Sequence, residues 1–256
     1  MQPLERDGIR LAATVMLVRD TGVNQAGEGL EVYMVQRPGR GAFPDLHVFP
    51  GGKVDEADWS PDLCAGIDDQ SASARLGLAA GGLRYWVAVA RECFEESGVL
   101  LARRNGVRLT FDQVEMQHRF AHIREQLLND EITFADVCHA EQLTIDCDRL
   151  AYFSHWITPE MAPRRFDTRF FVAAMPPDQA TLAHVGEATD EQWITPAQAL
   201  AKHRDAHWQM IDPTLRSLET LSQFRNVDDA LAGINAGNHL MPLTPELNRQ
   251  GMQALR

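Results

Sequence analysis

Long apolar runs and paired cysteines are both missing from this sequence of 256 residues. No stretch approaches the roughly 18 consecutive apolar residues of a membrane-spanning helix, so no transmembrane segment and no membrane partner are predicted. The N-terminus has no basic-then-apolar signal pattern. Free thiols in a reducing compartment, and hence a cytoplasmic location, are favoured over a disulfide framework. The chain has four cysteines and no CxxC pair: Cys64, Cys93, Cys138 and Cys147.

Basic residues are also scarce, with 24 Lys and Arg against 36 Asp and Glu and a formal net charge of −12. Non-specific binding to nucleic acid needs a basic surface, so a nucleic-acid partner is not expected. An anionic small molecule is not excluded, because bound Mg²⁺ and a few local arginines can reverse the sign of a cleft. The hydrophobic content of 45% is typical of a soluble globular protein.

The most informative stretch is acidic and runs from Arg91 to Val99. Glu92, Glu95 and Glu96 stand at i, i+3 and i+4, so on a helix they share one face. Like charges at this spacing repel each other, and a hard divalent cation with oxygen ligands would relieve that repulsion. A solvated acidic helix face is the alternative interpretation of this pattern.

Hydrophobic periodicity predicts a chain that mixes strands with helices. The predicted strands are 9–19, 31–37, 150–157, 164–174 and 187–194. The predicted helices are 83–98, two in the helical region 110–150 (one capped by Thr110, one at 133–141), 197–203, 213–224 and 227–234. Ser60 and Pro61 also resemble a helix start. Residues 68–74 are small and polar, and no helix or strand is predicted for them.

Two histidines, His118 and His122, stand four residues apart, which is a zinc-ligand spacing. No Glu follows the first histidine, and the sequence offers no third ligand nearby. A pair on a helix surface is therefore the favoured interpretation.

The glycine and glutamate pattern resembles a known family motif, the Nudix box. Gly52 is followed six residues later by Asp58, and Arg91–Val99 reads Arg-Glu-apolar-any-Glu-Glu-any-Gly-apolar. Two features depart from the family pattern: Asp58 stands where Glu is usual, and residues 59–90 replace a spacer of seven residues.

An insertion inside the box is similar to one branch of the family, the peroxisomal coenzyme A diphosphatase type. The likeness includes the lead-in His47-Val48-Phe49-Pro50-Gly51-Gly52, the following Asp55, and the segments 156–159 and 165–171. It spans roughly residues 9–225. The last four residues, 253–256, do not form a peroxisomal address, which is consistent with the cytoplasmic expectation.

The resemblance implies an α/β (α+β) Nudix fold, in which a mixed β-sheet is sandwiched between helices, with extra helical insertions. A single domain is expected over 1–236, with insertions at about 59–83 and 110–150, followed by an irregular tail at 237–256. The insertions could form a lid, a specificity wall or a dimer surface, since Nudix proteins are commonly dimers.

The resemblance also implies a set of site residues and a cofactor, Mg²⁺ or Mn²⁺. Arg91 takes the position that holds the helix glutamates by salt bridges. The expected catalytic residues are Glu92, Glu95, Glu96, Arg91 and Glu187. The expected metal ligands are Glu92, Glu95, Glu96 and Glu187, with Glu191 as a second candidate outside the box. The expected substrate-binding residues are Gly51, Gly52, Arg37, Arg40, Arg165 and Arg169.

The implied reaction is metal-dependent hydrolysis of a pyrophosphate bond in a nucleoside diphosphate linked to another group. Coenzyme A or acyl-coenzyme A is the expected substrate, and an ADP-ribose or NADH type of dinucleotide is the alternative. A non-catalytic Nudix-fold nucleotide-binding regulator is a third hypothesis. Such modules usually lose box glutamates, whereas this chain keeps all three in the helix.

Overall fold

The computed structural model describes residues 4–22, 29–39, 45–162, 164–182 and 190–237. Within these ranges a mixed sheet of eight strands forms the centre of the fold. Its strands are β1 (Glu5–Arg6), β2 (Ile9–Asp20), β3 (Leu30–Gln36), β4 (His47–Val48), β5 (Gly51–Lys53), β9 (Leu150–Ile157), β10 (Phe166–Ala174) and β11 (Asp190–Ile194). A second sheet of three short strands contains β6 (Ala102–Arg104), β7 (Val107–Arg108) and β8 (Leu143–Ile145).

The main sheet runs in the order β11-β3-β2-β10-β9, with β1, β4 and β5 paired to its central strands. β2 and β10 are parallel, and the other strand pairs are antiparallel. Side chains alternate along β2: Val15 and Leu17 face one core, while Met16 and Val18 face another. Every one of these four side chains is fully buried, so both faces of the sheet are covered.

Helices cover the sheet on both faces. The first core contains residues of α1 (Asp69–Leu76), α2 (Leu83–Ser97), α3 (Val114–Leu128) and α4 (Phe134–Glu141). The second core contains residues of α5 (Pro196–Arg204), α6 (Asp212–Leu221) and α7 (Val227–Asn235). The expected sandwich of a mixed sheet between helices is therefore confirmed.

The two segments expected to be insertions differ from the sequence expectation in three details. Residues 68–74, for which no element is predicted, lie largely within α1, whose Ala72 and Leu76 are buried in the first core. α3 begins at Val114 after Gln113, so the cap predicted at Thr110 is wrong. The region 110–150 is not wholly helical, because it also contains β8.

Several other expectations can be placed directly. All four cysteines are free and buried. His118 and His122 are both exposed on α3, as expected for a helix-surface pair. None of the described helices is long and apolar enough to cross a membrane. Arg40, Glu187 and the tail from residue 238 lie outside the described residues.

Candidate active site

The glutamates of the acidic stretch lie on α2, and both ends of this helix have clear local causes. At its N-terminus, Asp69 of α1 accepts hydrogen bonds from the backbone N–H groups of Gly81 (2.9 Å) and Leu83 (3.1 Å). Such a carboxylate satisfies N–H groups that have no partner within the helix. At its C-terminus, Gly98 adopts the left-handed conformation with φ of 73°, which glycine tolerates best. The predicted helix 83–98 and its glycine cap are confirmed.

The C-terminal end of α2 is also held by a residue of α3. Arg124 of α3 donates from Nε (2.9 Å) and Nη2 (2.7 Å) to the backbone carbonyl of Glu95. The Arg124 side chain is buried, so these charge-assisted bonds lie in a setting of low dielectric, where they are stronger than in water. The carbonyl held in this way belongs to one of the clustered glutamates.

Arg91 lies at the centre of the acidic cluster and is buried. Its guanidinium pairs with both carboxylate oxygens of Asp58, at 2.9 and 3.0 Å. It also contacts Glu92 Oε1 at 2.8 Å and Glu95 Oε2 at 3.0 Å, and it donates to the carbonyl of Lys53 at 2.8 Å. A buried arginine with this many anionic partners fixes the geometry of all of them.

Asp58 is therefore one of the residues that hold Arg91 in place. Its carboxylate is buried and accepts the backbone N–H of Asp55 at 2.8 Å, in addition to the two bonds from Arg91. The shorter side chain that replaces the usual glutamate is thus fully engaged with arginine and backbone donors. Asp58 thus orients the Arg91 guanidinium, which in turn contacts Glu92 and Glu95.

The two glycines that precede the insertion lie directly against the glutamates. Glu96 Oε2 accepts the backbone N–H of Gly51 at 2.9 Å. A Cβ atom on Gly52 would lie 2.5 to 2.6 Å from the carboxylate atoms of Glu92, so a side chain at this position would displace that carboxylate. A Cβ atom on Gly51 would lie 2.4 Å from the carbonyl oxygen of Ala13, so neither glycine has room for a side chain. The contacts with Glu92 and Glu96 bring the two halves of the motif together.

The pKa of Glu95 is raised to about 8, mainly because its carboxylate is buried, with Arg91 opposing this shift and Glu92 and Asp58 adding to it. Among the described residues, no three Asp, Glu, His or Cys side chains are arranged to share one ion. The chemistry of the donor set nevertheless fits a hard divalent cation, because such ions prefer carboxylate oxygens and a cation would relieve the crowding of the Glu92 and Glu95 charges beside Arg91.

A cavity of about 680 Å³ opens beside the glutamates, a size typical of small-molecule sites. It extends past β5 onto the face of the main sheet formed by β2, β9 and β10. Seven of the expected site residues line it: Arg37, Gly51, Gly52, Arg91, Glu92, Glu95 and Glu96.

Two of the arginines expected to bind substrate do not line this cavity. Arg169 is buried on the opposite face of β10 and pairs with Asp167 at 2.9 Å. Arg165 donates from Nε to the carbonyl of Thr158 at 3.0 Å. Arg169 lies away from the cavity because side chains alternate along a strand, so residues 166, 168 and 170 face the cavity while 167 and 169 face away.

Sequence reasoning also missed several lining residues. Arg10, Lys53 and Arg164 bring positive charge to the cavity, and Leu128 and Asp130 at the end of α3 form part of its wall. The alternation along β2 contained the signal for Arg10, because positions 10, 12 and 14 share a face. The contribution of α3 depends on tertiary packing and has no local signal.

The second candidate for an acid outside the box, Glu191, accepts a hydrogen bond from the Tyr33 hydroxyl. Burial and the neighbouring Glu191 carboxylate raise the pKa of Tyr33. Glu191 does not line the cavity, so the described contacts connect it to Tyr33 rather than to the helix glutamates.

Comparison with known proteins identifies the family. The protein-family model described as NUDT19 Nudix domain matches residues 80–221, more than half of the chain. The acyl-coenzyme A diphosphatase NUDT19 of Xenopus laevis is 26% identical over 237 residues, covering 78% of this chain and 61% of that protein. The Homo sapiens protein of the same name is 26% identical over 239 residues, covering 79% of this chain and 63% of that protein. The chain thus spans about six tenths of the length of these relatives.

A solved structure agrees with these matches. The crystal structure of a NUDIX hydrolase from Alicyclobacillus acidocaldarius superposes with a TM-score of 0.67 and 25% identity, covering 88% of this chain and 96% of that one. On the family match, the fold and the reunited halves of the box, this chain belongs to the Nudix hydrolases, in the family described as NUDT19 Nudix domain.

Proposed function

We propose that this protein hydrolyses the diphosphate link of coenzyme A or acyl-coenzyme A. The observation that carries the proposal is the carboxylate face of α2, which is organised by Arg91 and borders a cavity large enough for a nucleotide. The relatives named acyl-coenzyme A diphosphatase support the choice of substrate.

The proposal assigns Mg²⁺ or Mn²⁺ to Glu92, Glu95 and Glu96, with Glu187 as a further ligand. When bound, the metal would neutralise charge on the diphosphate and lower the pKa of a water molecule. Oxygen donors on one helix face are the ligands these ions prefer.

The residues of the chain would act in two ways. Arg91 would keep the carboxylates of Glu92 and Glu95 oriented, and the Gly51 N–H would do the same for Glu96. One carboxylate of the group Glu92, Glu95, Glu96 and Glu187 would accept a proton from the attacking water. Water oxygen then bonds to phosphorus, the bridging P–O bond breaks, and two phosphate monoesters leave.

A substrate panel tests this function. The purified chain would be incubated with coenzyme A, acyl-coenzyme A, ADP-ribose, NADH and dinucleoside polyphosphates, with Mg²⁺ or Mn²⁺, and the products separated by chromatography. The Glu95→Gln/Glu96→Gln variant provides the matched control, since it removes charge and keeps side-chain size. We expect turnover of coenzyme A compounds by the unaltered chain and loss of about 100-fold or more in the variant.

Three results would contradict the proposal. Faster turnover of ADP-ribose or NADH than of coenzyme A would assign the protein to the dinucleotide pyrophosphatases. Absence of turnover for every substrate would favour a nucleotide-binding module without catalysis. Equal turnover by the double variant would remove the glutamates from the reaction.

A further inference from the structure

One end of the cavity is lined by three cations, Arg10, Lys53 and Arg164, which we call the basic end. Strand register places them near one another. Arg10 is the cross-strand partner of Phe166, two residues after Arg164. Lys53 is the partner of Ala12, two residues after Arg10 on the same face of β2.

The basic end is poorly neutralised by the protein itself, although the chain carries a net charge of −12. Within the described part of the chain, neither Lys53 nor Arg164 forms a salt bridge. The Asp55 carboxylate also lines the cavity and pairs with Arg91 at 3.9 Å, and it is near enough to attract the Lys53 charge. Arg10 contacts Glu5 at 3.6 Å, with side chains that are 41% and 50% exposed, and such an exposed pair is weak. Positive charge is therefore available to a ligand in the cavity.

The basic end lies across β5 from the glutamates. Neighbouring residues of a strand point to opposite faces, so Gly52 faces Glu92 while Lys53 faces the sheet side of the cavity. A diphosphate bound at the glutamates would leave these cations to contact another part of the same ligand. Three aromatic side chains, Trp156, Phe166 and Phe170, line the same cavity, and Phe166 is the cross-strand partner of Arg10 at the basic end.

We propose that the basic end binds a phosphate monoester on the ribose of the substrate, which in coenzyme A is the 3′-phosphate. This inference rests on the proposed function and specifies how the site selects its substrate. The aromatic side chains provide a flat apolar surface for the adenine base. The guanidinium of Arg164 can hold a phosphate through two parallel hydrogen bonds. ADP-ribose and NADH have no such group and cannot use this subsite.

The first test compares coenzyme A with dephospho-coenzyme A, which lacks only the 3′-phosphate. We expect the ratio of their kcat/KM values to favour coenzyme A by about tenfold or more, and Arg164→Ala to lower this ratio about tenfold. Arg164→Lys should restore part of it. Arg165→Ala is the matched control, because it removes one adjacent positive charge from a side chain that does not line the cavity.

A binding experiment provides a readout that is independent of turnover. Calorimetry on the metal-free chain should show tighter binding of adenosine 3′,5′-bisphosphate than of AMP, and Arg164→Ala should remove most of the difference. Selective binding without any hydrolysis would preserve the subsite and overturn the proposed function. Equal turnover of coenzyme A and dephospho-coenzyme A, or an equal effect of Arg164→Ala and Arg165→Ala, would overturn the subsite and leave the proposed function intact.

Discussion

The two segments expected to be insertions, 59–83 and 110–150, hold opposite ends of the glutamate helix, and they do so in different ways. The first, within the split motif, places the Asp69 carboxylate on the N–H groups of Gly81 and Leu83 in a half-exposed position. The second places the buried guanidinium of Arg124 on the carbonyl of Glu95. The first is a helix cap, and the second is a buried clamp beside the carboxylates. We infer that the insertions stabilise the active-site helix rather than form a separate lid.

The largest effect is expected where neither insertion can compensate, at the centre of the helix. Arg91→Met would leave Asp58, Glu92 and Glu95 without their shared counter-charge in a buried setting. Breaking a buried ion pair costs about 3–5 kcal/mol, and we expect a loss of this order in the free energy of unfolding, measured by urea denaturation. Arg91→Lys keeps the charge but not the planar fork of donors, so its unfolding free energy should lie between those of the unaltered chain and Arg91→Met. A loss below about 1 kcal/mol would mean that the two ends suffice to hold the helix.

The clamp should follow in magnitude. Arg124→Met removes two charge-assisted hydrogen bonds to the Glu95 carbonyl, which stays buried without these donors. We expect this change to lower the free energy of unfolding by about 2–3 kcal/mol. Activity should also fall through kcat, because the carboxylates beside that carbonyl lose their fixed position.

Arg119→Met is the matched control for the clamp. Arg119 lies on the same helix, and its exposed side chain pairs with the buried Glu141 carboxylate. Arg104 also pairs with Glu141 and would still neutralise it in the variant, so we expect a smaller loss of unfolding free energy than for Arg124→Met and an unchanged kcat. Similar losses in kcat for the two variants would contradict the role assigned to the clamp.

The cap should have the smaller mutational effect. Asp69→Ala removes two acceptor contacts at a helix N-terminus, and we expect a loss of about 1 kcal/mol in unfolding free energy. Asp69→Asn retains one acceptor oxygen and should lose about half as much. KM and kcat should change little in both variants, since the contact is at the far end of the helix from Glu95. A larger loss of activity for Asp69→Ala than for Arg124→Met would reverse the comparison.

The contrast between the insertions also explains which features the sequence could predict. α2, its glycine cap and most strands follow from local periodicity and turn chemistry, which residues 83–98 express strongly. The sequence does not predict α1, because this helix buries only three side chains, Ala72, Ser73 and Leu76. Two of these are small, so the helix has little hydrophobic periodicity. The hydrogen bond from Arg124 to Glu95 joins residues 29 apart in the chain, and no local sequence pattern predicts it.

Substrate-binding arginines were the least predictable group. The sequence pattern favours Arg169 as a substrate-binding residue and does not single out Arg164. In the structure, Arg164 lines the cavity and Arg169 faces away from it. The difference depends on which face of β10 each residue occupies and where the strand begins, at Phe166. A shift of one residue in the pairing register of a strand exchanges its two faces, so charge patterns near strand ends need the register before they can be interpreted.

The central claim is that the face of Glu92, Glu95 and Glu96 binds a divalent cation. The most direct measurement is the thermal unfolding midpoint with and without millimolar Mg²⁺, in the unaltered chain and in Glu95→Gln/Glu96→Gln. A cation at about ten times its Kd stabilises by about 1 kcal/mol, so we predict a rise of about 2–4 °C in the unaltered chain and none in the variant. An unchanged midpoint in the unaltered chain, or an equal rise in both, would contradict the claim.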